Sequence, residues 1–338
     1  MLKKDYSIGV FDSGLGGLTV VKELMRQLPG EDIVYFGDTA RVPYGTKSKE
    51  AIVRFSHENV KFLLKHKVKM IVVACNSSSS FALTSLRNTY PIPIVGVIVP
   101  GARKAAEVTK NKIIGVVATS ATVHSGQYTK TLKQINKKIR VVNQPCPLFV
   151  PLVEEGWFHE PATELIAKKY LKKVLCAKAD AIILGCTHYP LLKDTIQKIL
   201  GPKVYLVDSA KEVARDVKEL LATIGISNKT NRQARHQFFV SDKPQHFKTL
   251  AKRFLGCAIK NIKKVYPMYE LTVKDEFAAS HSLRDYEGKC KKLHGHTWHV
   301  DIVVRGKDVN NVGMLLDFKE IKNELKGILE TLDHFAIF

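Results

Sequence analysis

The feature that most constrains this chain is a repeated alternation. Over residues 1–255, short apolar runs, IGVF (8–11), IVYF (33–36), MIVVA (70–74), PIVGVI (93–98), IIGVVA (113–118), AIILG (181–185) and VYLV (204–207), are separated by amphipathic stretches. Runs this short and this free of polar residues suit strands buried on both faces. The stretches 17–28, 47–65, 120–135, 163–176 and 211–224 carry apolar residues three and four apart, which is one face of a helix. Strand and helix in turn imply an α/β fold: a mostly parallel sheet covered by helices, with ligand groups at the carboxyl ends of the strands.

Composition narrows the classes further. With 338 residues, 45% hydrophobic and 25% charged, and no low-complexity tract, the chain reads as folded and globular, which excludes disordered, collagen-like and fibrous classes. Its net charge of +21 bears on association with nucleic acid, anionic surfaces or acidic metabolites rather than on fold. The most apolar window, 91–100, falls short of the roughly 18 residues that span a bilayer. The first residues, MLKKDYSIGVFDSG, break off their apolar run too early for a signal peptide. Cys75, Cys146, Cys176, Cys186, Cys257 and Cys290 form no CxxC pair, so reduced thiols in a cytoplasmic protein are expected.

The charge divides the chain. Residues 1–267 carry 43 Lys/Arg against 20 Asp/Glu, and residues 268–338 carry 10 against 12, with five of the twelve histidines. Met268 opens that last segment as an independent chain would begin, so a fusion junction is expected there. Just before it, 229–264 has ten Lys/Arg and a single acid, Asp242. Without interleaved aromatic platforms, this reads as a solvated helix face and a basic linker (256–267), and nucleic-acid binding is disfavoured.

Two strand ends look alike: MIVVACNSSSS, reaching Cys75, and AIILGCTHYP, reaching Cys186. Either cysteine alone would read as a buried structural residue. As a matched pair in both halves of an α/β chain, they read as chemistry. A helix start beyond each is expected to stabilise a thiolate and lower the thiol pKa. Inverting a stereocentre needs such a pair, one base removing a proton from one face while a conjugate acid returns it on the other. DSGLGG (12–17) suits a turn and helix start and lacks both phosphate-loop and dinucleotide spacings.

IGVFDSGLGGLTV (8–20), YFGDTARVPYG (35–45), ACNSS (74–78), IGVVATSATVHSGQY (114–128), PCPLFVPLVEEG (145–156) and LGCTHYPLL (184–192) closely resemble the glutamate racemases of the cofactor-independent aspartate/glutamate racemase superfamily. The resemblance implies two pseudo-symmetric parallel-sheet α/β subdomains, 1–100 with 205–255 and 101–204, closing on L- or D-glutamate without a cofactor. It implies Cys75 and Cys186 as the two bases, Asp12 and His188 as their respective partners, and Glu154 as an assisting acid. Ser13, Pro43, Tyr44, Gly45, Asn76, Ser77, Thr119, Thr122 and Thr187, with Asp12 and His188, are implied to bind substrate. Ser77 stands where the family usually has threonine, which keeps a hydroxyl. A cytoplasmic homodimer supplying D-glutamate for peptidoglycan is expected. Aspartate racemisation is the nearest rival, and GDTARVPYG favours glutamate.

From Met268 the logic changes. YELTV and WHVDIVV read as strands, and 318–332 as an amphipathic helix. His294 and His296, two apart, share one strand face; His281 on a neighbouring strand would complete three nitrogen ligands of the catalytic-zinc kind. FAASHSL, CKKLHGH, LLDF and LDH resemble the first half of the 6-pyruvoyltetrahydropterin/6-carboxytetrahydropterin synthase family. That implies a partial α+β tunnelling-fold module over 268–338, with His281, His294 and His296 as zinc ligands and Cys290, Asp333 and His334 as catalytic groups. The family's second half is not present, so weak zinc binding or none is expected of the tail. A bifunctional enzyme and a nucleic-acid or partner-binding protein using 229–264 are the alternative readings.

Overall fold

The structure, a computed structural model, describes residues 3–228, 232–259, 261–265, 269–282, 287, 292–306 and 309–337. They form two compact units, Met1–Val265 and Tyr266–Phe338. Met268 and Cys290 lie outside the described residues.

The first unit contains two sheets. The chain makes β1 (Ser7–Asp12), β2 (Ile33–Gly37), β3 (Val68–Val73) and β4 (Ile94–Gly96), then β5 (Ile113–Ala118), β6 (Arg140–Pro145), β7 (Ala181–Gly185) and β8 (Tyr205–Asp208), and finally β9 (His236–Val240) and β10 (Ile262–Lys264). The strand orders are β10-β9-β2-β1-β3-β4 and β6-β5-β7-β8, and every pairing is parallel. Without β9 and β10 the two orders are identical: the first strand inside, the second on one side, the third and fourth on the other. Winding therefore reverses between β1 and β3 and again between β5 and β7. Such reversal points leave a crevice beyond the carboxyl ends of the strands, where ligands bind. Cys75 follows β3 by two residues and Cys186 follows β7 directly, so the two thiols occupy equivalent places in the two halves.

Continuous apolar composition becomes burial on both faces. Ile8, Val10, Phe11, Met70, Ile71, Val72, Val73, Val117, Ile182 and Ile183 are fully buried. Helices Leu18–Gln27 and Ser209–Thr223 pack Leu18, Val21, Leu24, Val213, Val217 and Leu221 into one cluster with Ile8, Val10, Met70, Val72, Val117 and Ile182. Full burial of such a side chain contributes about 1.5–3 kcal/mol, which is what fixes the strand ends in place.

Several sequence expectations are corrected. The stretch 120–135 is two helices, Ser120–His124 and Gln127–Ile135, because Gly126 turns the chain at φ +64°, a conformation that glycine adopts freely. β8 pairs with β7, so the second half runs through 208 and does not end at 204. Within the expected basic linker 256–267, Ile259 is buried and Ile262–Lys264 pairs with β9. Within 229–264 the solvated helix face has a buried counterpart. β9 and helix Pro244–Leu255 bury Phe238, Phe239, Phe247, Leu250, Phe254 and Leu255, while Lys248, Lys252 and Arg253 stay outside.

The second unit is α+β. β11 (Tyr269–His281) and β12 (His294–Gly306) form an antiparallel ribbon, and β13 (Ala336–Ile337) pairs with β11. Helix Phe318–Glu330 lays Ile321, Leu325 and Leu329 on Val273, Phe277 and Ala279. Among the described residues no helix is long and apolar enough to cross a membrane, and the five described cysteines are all free.

Candidate active site

The crevice of the first unit closes into a small cavity of about 330 Å³, its mouth included, lined by Ser13, Pro43, Tyr44, Gly45, Cys75, Asn76, Ser77, Thr119, Cys186, Thr187 and His188, with Val42 and Val150. These include eleven of the substrate and catalytic residues expected from sequence. Asp12, Thr122 and Glu154 stand one layer behind. Asp12, at the end of β1 and fully buried, accepts from Gly14 N–H (2.9 Å) and from the Thr187 hydroxyl (3.3 Å), so it ties the first half to the loop after β7. Burial raises its pKa, against the opposing field of His188 and its hydrogen bonds.

The two thiols have different surroundings. Cys75 occupies the N-cap position of helix Asn76–Phe81, as expected, yet its pKa moves opposite to expectation. Burial and the neighbouring Asp12 carboxylate push it up to about 12, and the Ser78 N–H with the Ser13 and Ser78 hydroxyls only offset this in part. The dryness of the site outweighs the helix terminus. Cys186 has an imidazole partner: its sulfur lies 3.8 Å from His188 Nδ1, and His188 Nε2 lies 3.1 Å from Glu154 Oε1. Burial pulls His188 down, but its contacts with Cys186 and Glu154 prevail and push it up to about 10. A cationic ring beside sulfur supports negative charge formed there during turnover.

Polar groups converge on the opposite wall. Ser77 Oγ lies 3.1 Å from Thr119 Oγ1 and 3.4 Å from Thr122 Oγ1, and Thr119 donates to Thr122 at 3.0 Å. This hydroxyl cluster joins the helix after β3 to the loop after β5 and suits a carboxylate. A Cβ on Gly45 would stand 2.7 Å from the Thr119 side chain, so only glycine lets the 43–45 loop, entered through a cis Val42-Pro43 bond, come this close.

Residues not singled out from sequence hold this layer. Tyr128 donates to Asn76 Oδ1 (2.8 Å). Thr19 donates to the Thr187 carbonyl (3.1 Å). Asp38, fully buried, accepts from the Tyr44 hydroxyl, from Arg41 Nε (2.7 Å) and from Ser241 (3.0 Å), while Asn59 donates to the Tyr44 oxygen (3.2 Å). Asp38 lies within GDTARVPYG, and a carboxylate inside a largely apolar motif is the signal that marks it.

In the second unit, His281 pairs with His294 across β11 and β12, and His296 follows on the same face. Their candidate ligand nitrogens all lie within 4.8 Å of one another. Slight burial and the neighbouring His294 and His296 rings lower the His281 pKa, favouring the neutral form of that imidazole, the form that metals bind. The donor set therefore fits zinc. Asp333 Oδ2 lies 3.0 Å from His334 Nδ1, and both residues hydrogen-bond the Ala278 backbone, three residues before His281.

Fold and site together define a pseudo-symmetric α/β protein with one thiol from each half in a single polar cavity. Residues 8–217 match the Asp/Glu/Hydantoin racemase family, and the chain belongs to that family. It is 50% identical over 259 residues to the glutamate racemase of Geobacter metallireducens, covering 77% of this chain and 96% of that protein. The glutamate racemase of Syntrophus aciditrophicus is 44% identical over the same shares of the two chains. Among solved structures, a Bacillus anthracis glutamate racemase isoform superposes with a TM-score of 0.75 at 40% identity, covering 78% of this chain and 98% of that one. The Francisella tularensis glutamate racemase in complex with D-glutamate superposes at 0.73 with the same identity and coverage. Residues 270–337 match the 6-pyruvoyl tetrahydropterin synthase family.

Proposed function

We propose that this protein is a cofactor-independent glutamate racemase, an isomerase that interconverts L- and D-glutamate by proton transfer between Cys75 and Cys186. The carrying observation is that both cysteines, from equivalent strand ends, line one cavity with the hydroxyl cluster of Ser77 and Thr119. The relatives named glutamate racemase, matched over 96% of their length, and the relative bound to D-glutamate support glutamate as substrate.

In this mechanism the Ser77, Thr119 and Asn76 groups, with Thr122 behind the two hydroxyls, hold the carboxylates and place the α-carbon between the sulfurs. One sulfur, as thiolate, takes the α-proton while the other, as thiol, delivers a proton to the opposite face, and the two exchange roles in the reverse direction. Asp12, bridging the Gly14 amide and Thr187, orients the Cys75 side. His188, steadied by Glu154, carries positive charge against the Cys186 side. Tyr44 and Gly45 close the cavity mouth.

The product serves bacterial peptidoglycan synthesis in the cytoplasm, and the active species is a homodimer, which light scattering on the purified protein tests. In the tail, His281, His294 and His296 would hold zinc, which supplies Lewis-acid activation of water or a carbonyl when bound.

The primary test follows the optical signal of L- and D-glutamate by circular dichroism, without added cofactor or metal. Wild type should abolish the signal of either enantiomer, and Cys75→Ser and Cys186→Ser should each lose at least about a thousandfold in rate. Wild-type inactivity on glutamate, or turnover of L-aspartate instead, overturns the assignment.

A further inference from the structure

The two polar partners of His188 hold it loosely. The Cys186 sulfur stands 3.8 Å from Nδ1, and Glu154, 3.1 Å from Nε2, has a side chain 30% exposed. A contact that long and a carboxylate that open to solvent leave an imidazole room to tilt. Both partners belong to the second half, and two elements of the first half press on the same ring. Gly16, in the turn after β1, comes so near that a Cβ there would lie 2.5 Å from His188 Nδ1. Phe254, in helix Pro244–Leu255, sets its ring across the imidazole, with 5.5 Å between centroids and 87° between planes, a favourable aromatic geometry. Phe254 is 1% exposed, and Phe247 anchors the same helix against Tyr35 with 6.1 Å between ring centroids. The adjacent residue reaches the helix that carries Glu154: Arg253 covers Gly156, where a Cβ would lie 2.3 Å from Nη1, and Gly156 ends helix Phe149–Glu155.

We propose that Phe254 is a positioning residue for racemisation: its buried ring fixes the plane of the His188 imidazole, so that Nδ1 faces the Cys186 sulfur while Nε2 faces Glu154. Phe254 acts on Cys186 through His188. An orienting group works only while its own position is held by packing, and a displacement of about 1 Å can cost a hundredfold in rate. The first half, through helix Pro244–Leu255, thereby aligns the imidazole that serves the thiol of the second half. This inference rests on the racemase reading, because it assigns Phe254 to the proton transfer at Cys186.

The test is Phe254→Met in the full chain, which keeps the volume but not the flat ring, with Leu250→Met, at a buried position one turn earlier on the same helix, as control. Volume-conserving exchanges of this kind should leave both thermal midpoints within about 6 °C of wild type. With L-glutamate followed by circular dichroism, Phe254→Met should lose about tenfold in kcat while KM stays within about twofold, and Phe254→Leu should show the same split. Cys75 and Cys186 are also alkylated by iodoacetamide at fixed pH, each site followed separately by peptide mass spectrometry. Cys186 should slow severalfold in Phe254→Met, because a misaligned imidazole supports its thiolate less well, while Cys75 keeps its rate. Leu250→Met should match wild type in every readout. A wild-type kcat in Phe254→Met, or equal changes at both cysteines, overturns the proposal and leaves Phe254 as packing alone. Alkylation is read independently of turnover, so inactivity of the wild type on glutamate refutes the racemase reading, while the Cys186 rate still decides whether Phe254 aligns His188.

Discussion

Glu154→Gln removes one negative charge from the end of the Cys186–His188–Glu154 chain while keeping the shape of the side chain. His188 stands at about 10 in the folded protein against an ordinary 6.5, a rise worth about 5 kcal/mol at 1.36 kcal/mol per pH unit. Glu154, 3.1 Å from Nε2 and partly open to solvent, supplies one of the two contacts that raise it. A hydrogen bond to a charged group is worth about 1.5–3 kcal/mol, so glutamine should bring His188 down by roughly 1–2 pH units. The kcat/KM for L-glutamate, measured from about pH 6 to 11, should lose its alkaline limb near pH 10 in wild type and near pH 8–9 in the variant. Stability carries the same sign. A folded value above the unfolded one contributes fully below about pH 6.5, and that contribution disappears as pH rises through about 10. Urea unfolding should therefore separate the two proteins by about 2 kcal/mol between pH 6.5 and 8 and bring them together above pH 10. Alkaline limbs at the same pH, with a stability gap that does not vary with pH, would refute the coupling.

A Cβ on Gly16 would lie 2.1 Å from Thr187 Oγ1 and 2.5 Å from His188 Nδ1; Gly16→Ala should cost about 1–3 kcal/mol by overpacking and at least about a hundredfold in kcat, read by thermal melts and the optical assay. Asp38→Asn leaves the cavity lining intact but weakens the support under Tyr44 and Arg41; a rise in KM of several-fold with little change in kcat is expected, and unchanged kinetics would remove Asp38 from the substrate loop's support. Since burial holds Cys75 as a thiol up to about pH 12, while Cys186 lies beside a cationic imidazole, iodoacetamide at pH 8 should mark Cys186 first, and mapping of the labelled peptides checks the order. The partly exposed His281, His294 and His296 should hold zinc loosely. Dialysis against a chelator should remove it without changing racemisation, and one zinc per chain surviving that treatment would contradict the expectation.

The strand ends were legible because burial on both faces leaves a continuous apolar run, and that run stops where the chemistry begins. β9 and helix Pro244–Leu255 were not, although Phe247, Leu250, Ala251, Phe254 and Leu255 carry the helical spacing openly. Their lysines and arginines dominated the composition, and QFFV is too short a run to stand out among them. Partners fixed by folding were also out of reach. Thr19 meets Thr187 across 168 positions, and Tyr128 meets Asn76 across 52; no local spacing encodes either.

The direction of the Cys75 shift illustrates a more general limit. Sequence placed the cysteine at a helix start, where the dipole favours a thiolate by up to about 2 kcal/mol. It could not show that the same sulfur would be 5% exposed and beside a buried carboxylate, and desolvation of that degree moves a thiol further than a helix terminus does. A duplicated strand-end cysteine thus specifies where two proton carriers stand. What each carrier needs in order to ionise is set by its own half of the crevice: hydroxyls and a carboxylate around Cys75, an imidazole and Glu154 around Cys186. The symmetry of the fold supplies the two opposing faces that stereochemical inversion requires, and the unequal surroundings set a different electrostatic environment for the sulfur on each face.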